Sequence, residues 1–170
     1  ASQVFENSSE AILVTNANGI ISRVNKAFTY LTGFESMSAI GAQPTEFLSP
    51  DSPKEALRDI QEALLVEGYW QGEINYRNKR GEVRPSFTGI TALKDDMGET
   101  VSLIIISSDI AHRKMTEARI EHLAYFDPLT GLPNRAQMHE TLERLMVEEE
   151  QMLALLFIDL DRFKPINDTM

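Results

Sequence analysis

Asp109-Ile-Ala-His-Arg-Lys114 and, further along, Asp127-Pro-Leu-Thr-Gly-Leu-Pro-Asn-Arg135 bracket the stretch around which the chain is organised. Between them, residues 110–126 hold no Gly or Pro, mix both signs of charge and include good helix formers, so one helix is expected there. Pro128, Gly131 and Pro133 end it. Upstream the sequence is rich in β-branched runs and turns. Downstream, a helix leads to a strand that finishes in paired aspartates. The segment reads as a rod joining an input part to an output part.

Immediately upstream, three strands are expected. Tyr69 to Arg77 is closed by Asn78-Lys-Arg-Gly81, Glu82 to Lys94 by Asp95-Asp-Met-Gly98, and Glu99 to Ser108 follows. Leu103-Ile-Ile-Ile106 suits a central strand with both faces covered. Before these, Ser52 is a suitable helix cap, Pro53 fits the first turn and Glu55 completes a capping box. Leu57, Ile60, Leu64 and Leu65 form the apolar stripe of that helix, and Gly68 stands where it would stop.

Ala11-Ile-Leu-Val14 and Ile20-Ile-Ser-Arg-Val24 flank Asn16-Ala-Asn-Gly19, a hairpin whose Asn-Gly step supplies positive φ. Asn25 caps a short helix with Phe28 and Leu31 inward, ended by Gly33. A further helical turn covers Glu35 to Ile40 and stops at Gly41. Two strands, short helices and three hairpin-linked strands make an α+β domain with one antiparallel sheet.

Bulk properties narrow the function. The 170 residues carry a formal net charge of −10, which argues against a nucleic-acid partner and a polybasic membrane contact. Glu148, Glu149 and Glu150 read as a solvated helix end. With no cysteine, disulfides and thiolate metal sites are excluded. No apolar run approaches the roughly 20 residues that span a bilayer. A cytoplasmic location is expected, with any membrane anchor lying upstream.

Specific words now carry a resemblance. Asn25-Lys-Ala-Phe28 with Leu31-Thr-Gly-Phe34, Trp70-Gln-Gly-Glu73, Lys79-Arg-Gly-Glu82 and Asp109-Ile-Ala-His-Arg-Lys114 stand in the order found in PAS sensor domains, with Ala111 in place of the usual Thr. The resemblance implies that residues 1–109 form a five-stranded sheet with helices on one face, enclosing a small-molecule pocket. Gln43, Phe47, Trp70 and Asn75 are its candidate lining. Several words around them resemble flavin-binding PAS domains, which makes flavin a candidate cofactor. Gln43-Pro44 replaces the family's Asn-Pro, however, and Tyr76 stands where an Asn is common. Lack of Cys removes the covalent light-sensing reaction, and no His within 1–109 provides an axial haem ligand. A pocket with no specific occupant is the competing account, with Trp70 a packing aromatic.

For signal transfer, Asp109 is expected to cap the connector helix of residues 110–126, and Arg113 to pair with Glu73 on the sheet. Ala111, Met115, Ala118, His122 and Tyr125 follow heptad-like spacing. The run is shorter than the roughly three or four heptads of an assured coiled coil. PAS connectors of this type commonly pair, so a homodimer through this helix is expected, with packing back on the same domain as its rival.

Downstream, Asn134 is expected to cap a helix from Arg135 to about Val147, with Met138, Leu142, Leu145 and Met146 on one face. Leu153 to Ile158 should be a buried strand, followed by Asp159-Leu-Asp-Arg-Phe-Lys-Pro-Ile-Asn-Asp168. Carboxylates at a strand end suit Mg²⁺, which phosphoryl-transfer enzymes use. Leu123 to Arg135 and Phe157 to Thr169 closely resemble the opening of a GGDEF domain, the diguanylate cyclase fold. That resemblance assigns 127–170 to the N-terminal part of such a domain. It implies Mg²⁺ on the Asp159 carboxylate and the Leu160 carbonyl, with GTP along Phe163, Lys164 and Asn167. No Gly-Gly-(Asp/Glu)-Glu-Phe signature occurs in the chain, so no catalytic residue is assigned and the chain by itself is expected to be inactive. The expected function is sensory input to cyclic di-GMP synthesis. Alternatives are the regulatory part of a GGDEF–EAL phosphodiesterase and a non-enzymatic dimerisation module.

Overall fold

A computed structural model of the protein describes residues 2–50, 52, 54–147 and 154–159, in two compact units, Ala1–Glu117 and Ala118–Met170. The first unit runs α1 (Ser2–Asn7), β1 (Ala11–Thr15), β2 (Ile21–Val24), α2 (Lys26–Thr32), α3 (Ser36–Ala39), a 3₁₀ turn (Pro44–Phe47), α4 (Lys54–Val66), β3 (Tyr69–Arg77), β4 (Val83–Lys94) and β5 (Thr100–Asp109). α5 (Ala111–Tyr125) leaves this unit, and α6 (Arg135–Val147) belongs to the second.

The strands form one antiparallel, five-stranded sheet in the order β2-β1-β5-β4-β3. The last strand therefore lies in the middle, between the two hairpins, with Leu13 opposite Ile105 and Ile90 opposite Ile105 on its other side. Strand alternation sorts the side chains. Leu13, Ile90, Ile105 and Tyr76 are buried on the face that carries the helices, with Ile74 and Leu103 packed beside them. Phe87 and Ile106 point the other way and are exposed. The covered-on-both-faces expectation for Leu103 to Ile106 thus needs correction. An antiparallel sheet can leave one face to water, and this one does at Ile106.

Asn25 explains how the N-terminal hairpin and helices are tied together. Its side chain is 2% exposed. Oδ1 accepts from Phe28 N, capping α2, and from Ile12 N on β1, while Nδ2 donates to the carbonyls of Phe5 and Glu10. A buried amide is tolerated only when its hydrogen-bonding capacity is met, and here three elements meet it. Gly33 then ends α2 at φ 72°, its N–H donating to Thr29 O. On α4, Ile60 is buried and Leu57 and Leu64 pack against the core, but Leu65 is 80% exposed and falls outside the stripe. At 100° per residue Leu65 is turned away from its neighbour Leu64.

In the second unit, Asn134 Oδ1 accepts from Ala136 N and Gln137 N and so caps α6, while its Nδ2 donates to Ala124 O. Asp127 organises the preceding loop by accepting from Leu129 N, Thr130 N and Thr130 Oγ1. These bonds, chiefly those from Thr130, hold its carboxyl below the ordinary carboxylate range. Met138, Leu142 and Leu145 are half-buried on α6, whereas Met146 is exposed. The expected strand at 153–158 is also corrected. Its described residues, 154–158, have no regular secondary structure, and Leu155 to Ile158 are exposed. A strand needs a ladder partner, and the described part of this unit contains no other strand to supply one.

Candidate functional site

Two features of the first unit bear on function: a cavity on the helical side of the sheet, and the joint where β5 becomes α5. The cavity measures about 260 Å³. Its inner wall is Ile74 and Tyr76 from β3, Ile90 from β4, and Leu103 and Ile105 from β5, closed across by Leu57, Ile60 and Leu64 of α4. Asn18, Gln43, Thr45 and Gln61, all exposed, form its rim. Among the described residues, no charged side chain lines it.

Tyr76 is the deepest polar residue on that wall. Its hydroxyl is hydrogen-bonded to Ser107 Oγ at 3.0 Å, and Ser107 Oγ in turn to Thr88 Oγ1 at 2.9 Å. Burial pushes the phenol pKa up, against a smaller lowering by the Ser107 and Thr88 hydroxyls, so the group stays neutral. The phenol's polar tip is spent inside the sheet, and its ring faces the cavity. Sequence reading noticed Tyr76 only as a departure from a flavin pattern. Its period-two spacing from Ile74 was the signal that would have placed it on the wall.

Of the pocket candidates, Gln43 stands at the rim, and the other three lie elsewhere. Phe47 is buried in an aromatic group, edge-on to Phe28 at 5.4 Å and to Phe34 at 5.1 Å. Trp70 lies along its own strand over Gly72, where a Cβ would sit 2.6 Å from Trp70 Cζ2. That close approach accounts for the glycine in Trp70-Gln-Gly-Glu73 without any ligand. Asn75 has the opposite alternation from Ile74 and Tyr76 and is exposed; its carbonyl accepts from Ser49 N. Gln71 is likewise on the exposed alternation, accepting from Tyr69 Oη. The amides that would meet a flavin ring edge are therefore not gathered on the cavity wall. The volume also falls below the roughly 300–1,000 Å³ of pockets for drug-sized ligands. The residues present do not fit a flavin.

At the joint, Asp109 Oδ1 accepts from Ala111 N at 2.8 Å, closing a turn that starts α5, and its other oxygen lies 3.7 Å from Arg84 Nη1. Arg113 Nη2 is 3.8 Å from Glu73 Oε1, and Lys114 Nζ is 2.5 Å from Glu73 Oε2. Sequence reading passed over Lys114, Arg84 and Ile110. Ile110 is 5% exposed and its N–H donates to Pro85 O, which pins the strand–helix junction to β4. An apolar residue inside Asp-Ile-Ala was the available sign. Beyond this anchor no α5 side chain is buried, and Met115 and Ile120 are exposed. Among the described residues no helix is long and apolar enough to cross a membrane.

In the second unit, Asp159 is exposed at the end of the 154–159 segment. Leu160, Phe163, Lys164 and Asn167 lie outside the described residues. Among the described residues no group of three His, Cys, Asp or Glu side chains is placed to hold a metal.

Comparison with known families matches residues 9–112 to the PAS domain. The chain belongs to the PAS domain family. Residues 124–170 match the diguanylate cyclase GGDEF domain, so a PAS domain is followed by part of a GGDEF domain. A solved PAS domain from Colwellia psychrerythraea superposes with a TM-score of 0.62 at 25% identity, covering 66% of this chain and 95% of that one. An RNA-binding light-oxygen-voltage receptor shares the fold at a TM-score of 0.63 and 18% identity, over 72% of this chain and 36% of that one. Among curated proteins, the cyclic di-GMP phosphodiesterase PdeR of Escherichia coli is 24% identical over 99% of this chain and 26% of its own length. The diguanylate cyclase TpbB of Pseudomonas aeruginosa is 37% identical over 55% of this chain and 22% of its own length. The PAS–GGDEF chain spans about a quarter of the length of these relatives.

Proposed function

We propose that this PAS–GGDEF chain is the sensory input of a cyclic di-GMP signalling protein, in which occupancy of the PAS cavity biases the geometry of α5. The observation that carries this reading is the joint. β3 and β5 both supply cavity wall, β5 runs directly into α5 through Asp109 and buried Ile110, and Glu73 of β3 contacts the first turn of the same helix. A change in strand position at the cavity therefore has a covalent and an electrostatic route to the helix. Glu73, Asp109 and Arg113 are the proposed signal-transfer residues. Met115, Ala118 and His122, the exposed members of the heptad-like positions of α5, support pairing of two copies along it. On this reading residues 1–109 sense, 110–126 connect and 127–170 open the output domain. There Asp159 and Leu160 would hold Mg²⁺, and Phe163, Lys164 and Asn167 would meet GTP when the domain is complete.

Output as a diguanylate cyclase is the first choice, supported by the GGDEF match and by relatives such as TpbB. A second reading is favoured by one observation. PdeR, a phosphodiesterase, aligns with nearly the whole chain rather than one part of it. In that case the GGDEF part would regulate rather than catalyse. Two measurements test the proposal. Glu73→Ala should accelerate hydrogen exchange of the α5 first-turn amides a few-fold while leaving the sheet amides unchanged; unaltered exchange removes Glu73 from the transfer route. Incubated with GTP and Mg²⁺, this chain should form no cyclic di-GMP, and product would show that it holds a working active site.

A further inference from the structure

The cavity's composition restricts what it can hold, and this step rests on the reading of the PAS domain as a ligand sensor. Among the described residues, no Asp, Glu, Lys, Arg or His lines it. An ion drawn into such a space would lose hydration with no opposite charge among these residues to compensate it. The polar groups that do line it are graded by depth. Asn18, Gln43, Thr45 and Gln61 are exposed at the rim, while Tyr76, Ile90 and Ile105 are buried at the inner wall. The polar atom at depth among the described lining side chains, Tyr76 Oη, is already engaged by Ser107, whose hydroxyl also meets Thr88. A ligand group placed there finds an aromatic face and branched aliphatic carbons. At the rim it finds amide and hydroxyl groups that both donate and accept.

We infer that this cavity takes an uncharged, largely apolar small molecule, seated with its apolar end against Tyr76, Ile90 and Ile105 and its hydrogen-bonding end at Gln43 and Gln61. Carboxylates, phosphorylated metabolites and nucleotides find no cation among the described lining residues, and a volume of about 260 Å³ restricts the occupant to something smaller than a typical cofactor. A ligand seated in this way presses on β3, β4 and β5 together, the strands nearest the α5 joint.

The test uses the neutral fluorophore N-phenyl-1-naphthylamine with the whole chain at neutral pH, and compares 1-octanol with octanoate as competitors. These share a chain length and differ chiefly in charge. The probe should brighten on binding, and 1-octanol should displace it at a concentration at least tenfold below octanoate. Leu64→Phe and Ile90→Phe, which fill the cavity from the helix and from the sheet, should each abolish the brightening, with circular dichroism confirming which of them is folded. Displacement by octanoate as effective as by 1-octanol would overturn the neutral-ligand inference and leave the sensor reading standing. No brightening, or equal brightening in a folded cavity-filled variant, would overturn both.

Discussion

The two units of this chain contain apolar side chains of the same kinds, and only one of them buries any among the described residues. Phe28 is 2% exposed in the first unit; Phe157 is 80% exposed in the second. The difference lies in partners, not in composition. The first unit closes five strands into a sheet and lays helices over one face, so each apolar side chain meets others from distant parts of the chain. In the second, α6 and the 154–159 segment have no strand beside them among the described residues, and Leu155, Leu156, Phe157 and Ile158 face solvent. Hydrophobic sequence is a necessary ingredient of a core; the surface that covers it is the other.

The largest expected effect addresses this contrast directly. Phe28→Ala should destabilise the first unit by about 3–5 kcal/mol, read as a lowered urea midpoint, because it opens a void beside Phe47. Phe157→Ala should change stability by less than about 0.5 kcal/mol. Equal losses would mean that 154–158 is covered in solution, and would break the comparison. Asn25→Ala should follow at about 2–4 kcal/mol, since it strips partners from buried backbone groups of α1, β1 and α2 together. Gly72→Ala should cost about 1–3 kcal/mol by driving a methyl into the Trp70 indole, and the cost should shrink in a Trp70→Leu background. Additive losses would show that the indole does not occupy that position.

The smallest effect sharpens the second unit. Asp127 has a lowered pKa in the folded loop, so its contribution is present above the ordinary carboxylate range and is lost as pH falls through the lowered value. The Leu129 and Thr130 amide resonances should hold steady from neutral pH to below the usual Asp range and shift only then. A transition at the ordinary range would show that the Asp127–Thr130 turn does not form. Asp127→Asn should weaken the turn without moving the urea midpoint of the first unit.

Some of this was readable from local chemistry and some was not. Asn25 and Asn134 as caps, Gly33 as a stop, and the limits of β1 to β5 to within about a residue follow from rules that operate within a few residues. The pocket residues were less legible. Asn75 and Trp70 were placed by the company they keep in the sequence, whereas strand alternation and the Trp70–Gly72 approach decide where they sit. Ile110 and Lys114 went unnoticed because their importance comes from Pro85 and Glu73, each many residues away.

The sequence alone determined the five strands of the sheet to within about a residue, the helices α2 to α6, and the family words that mark a PAS domain leading into a GGDEF domain. α1 and the Pro44–Phe47 turn went unread, and the strand expected at 153–158 did not form among its described residues. Caps, turns and alternation are settled by neighbours along the chain, whose geometry is nearly the same in any fold. Only the tertiary structure decided that β5 lies between β1 and β4, that one face of the sheet stays open, and that a largely apolar cavity adjoins the strands leading to α5. Those features depend on pairings between segments far apart in the chain, where the gain from burying apolar surface must exceed the entropy lost on closing long loops.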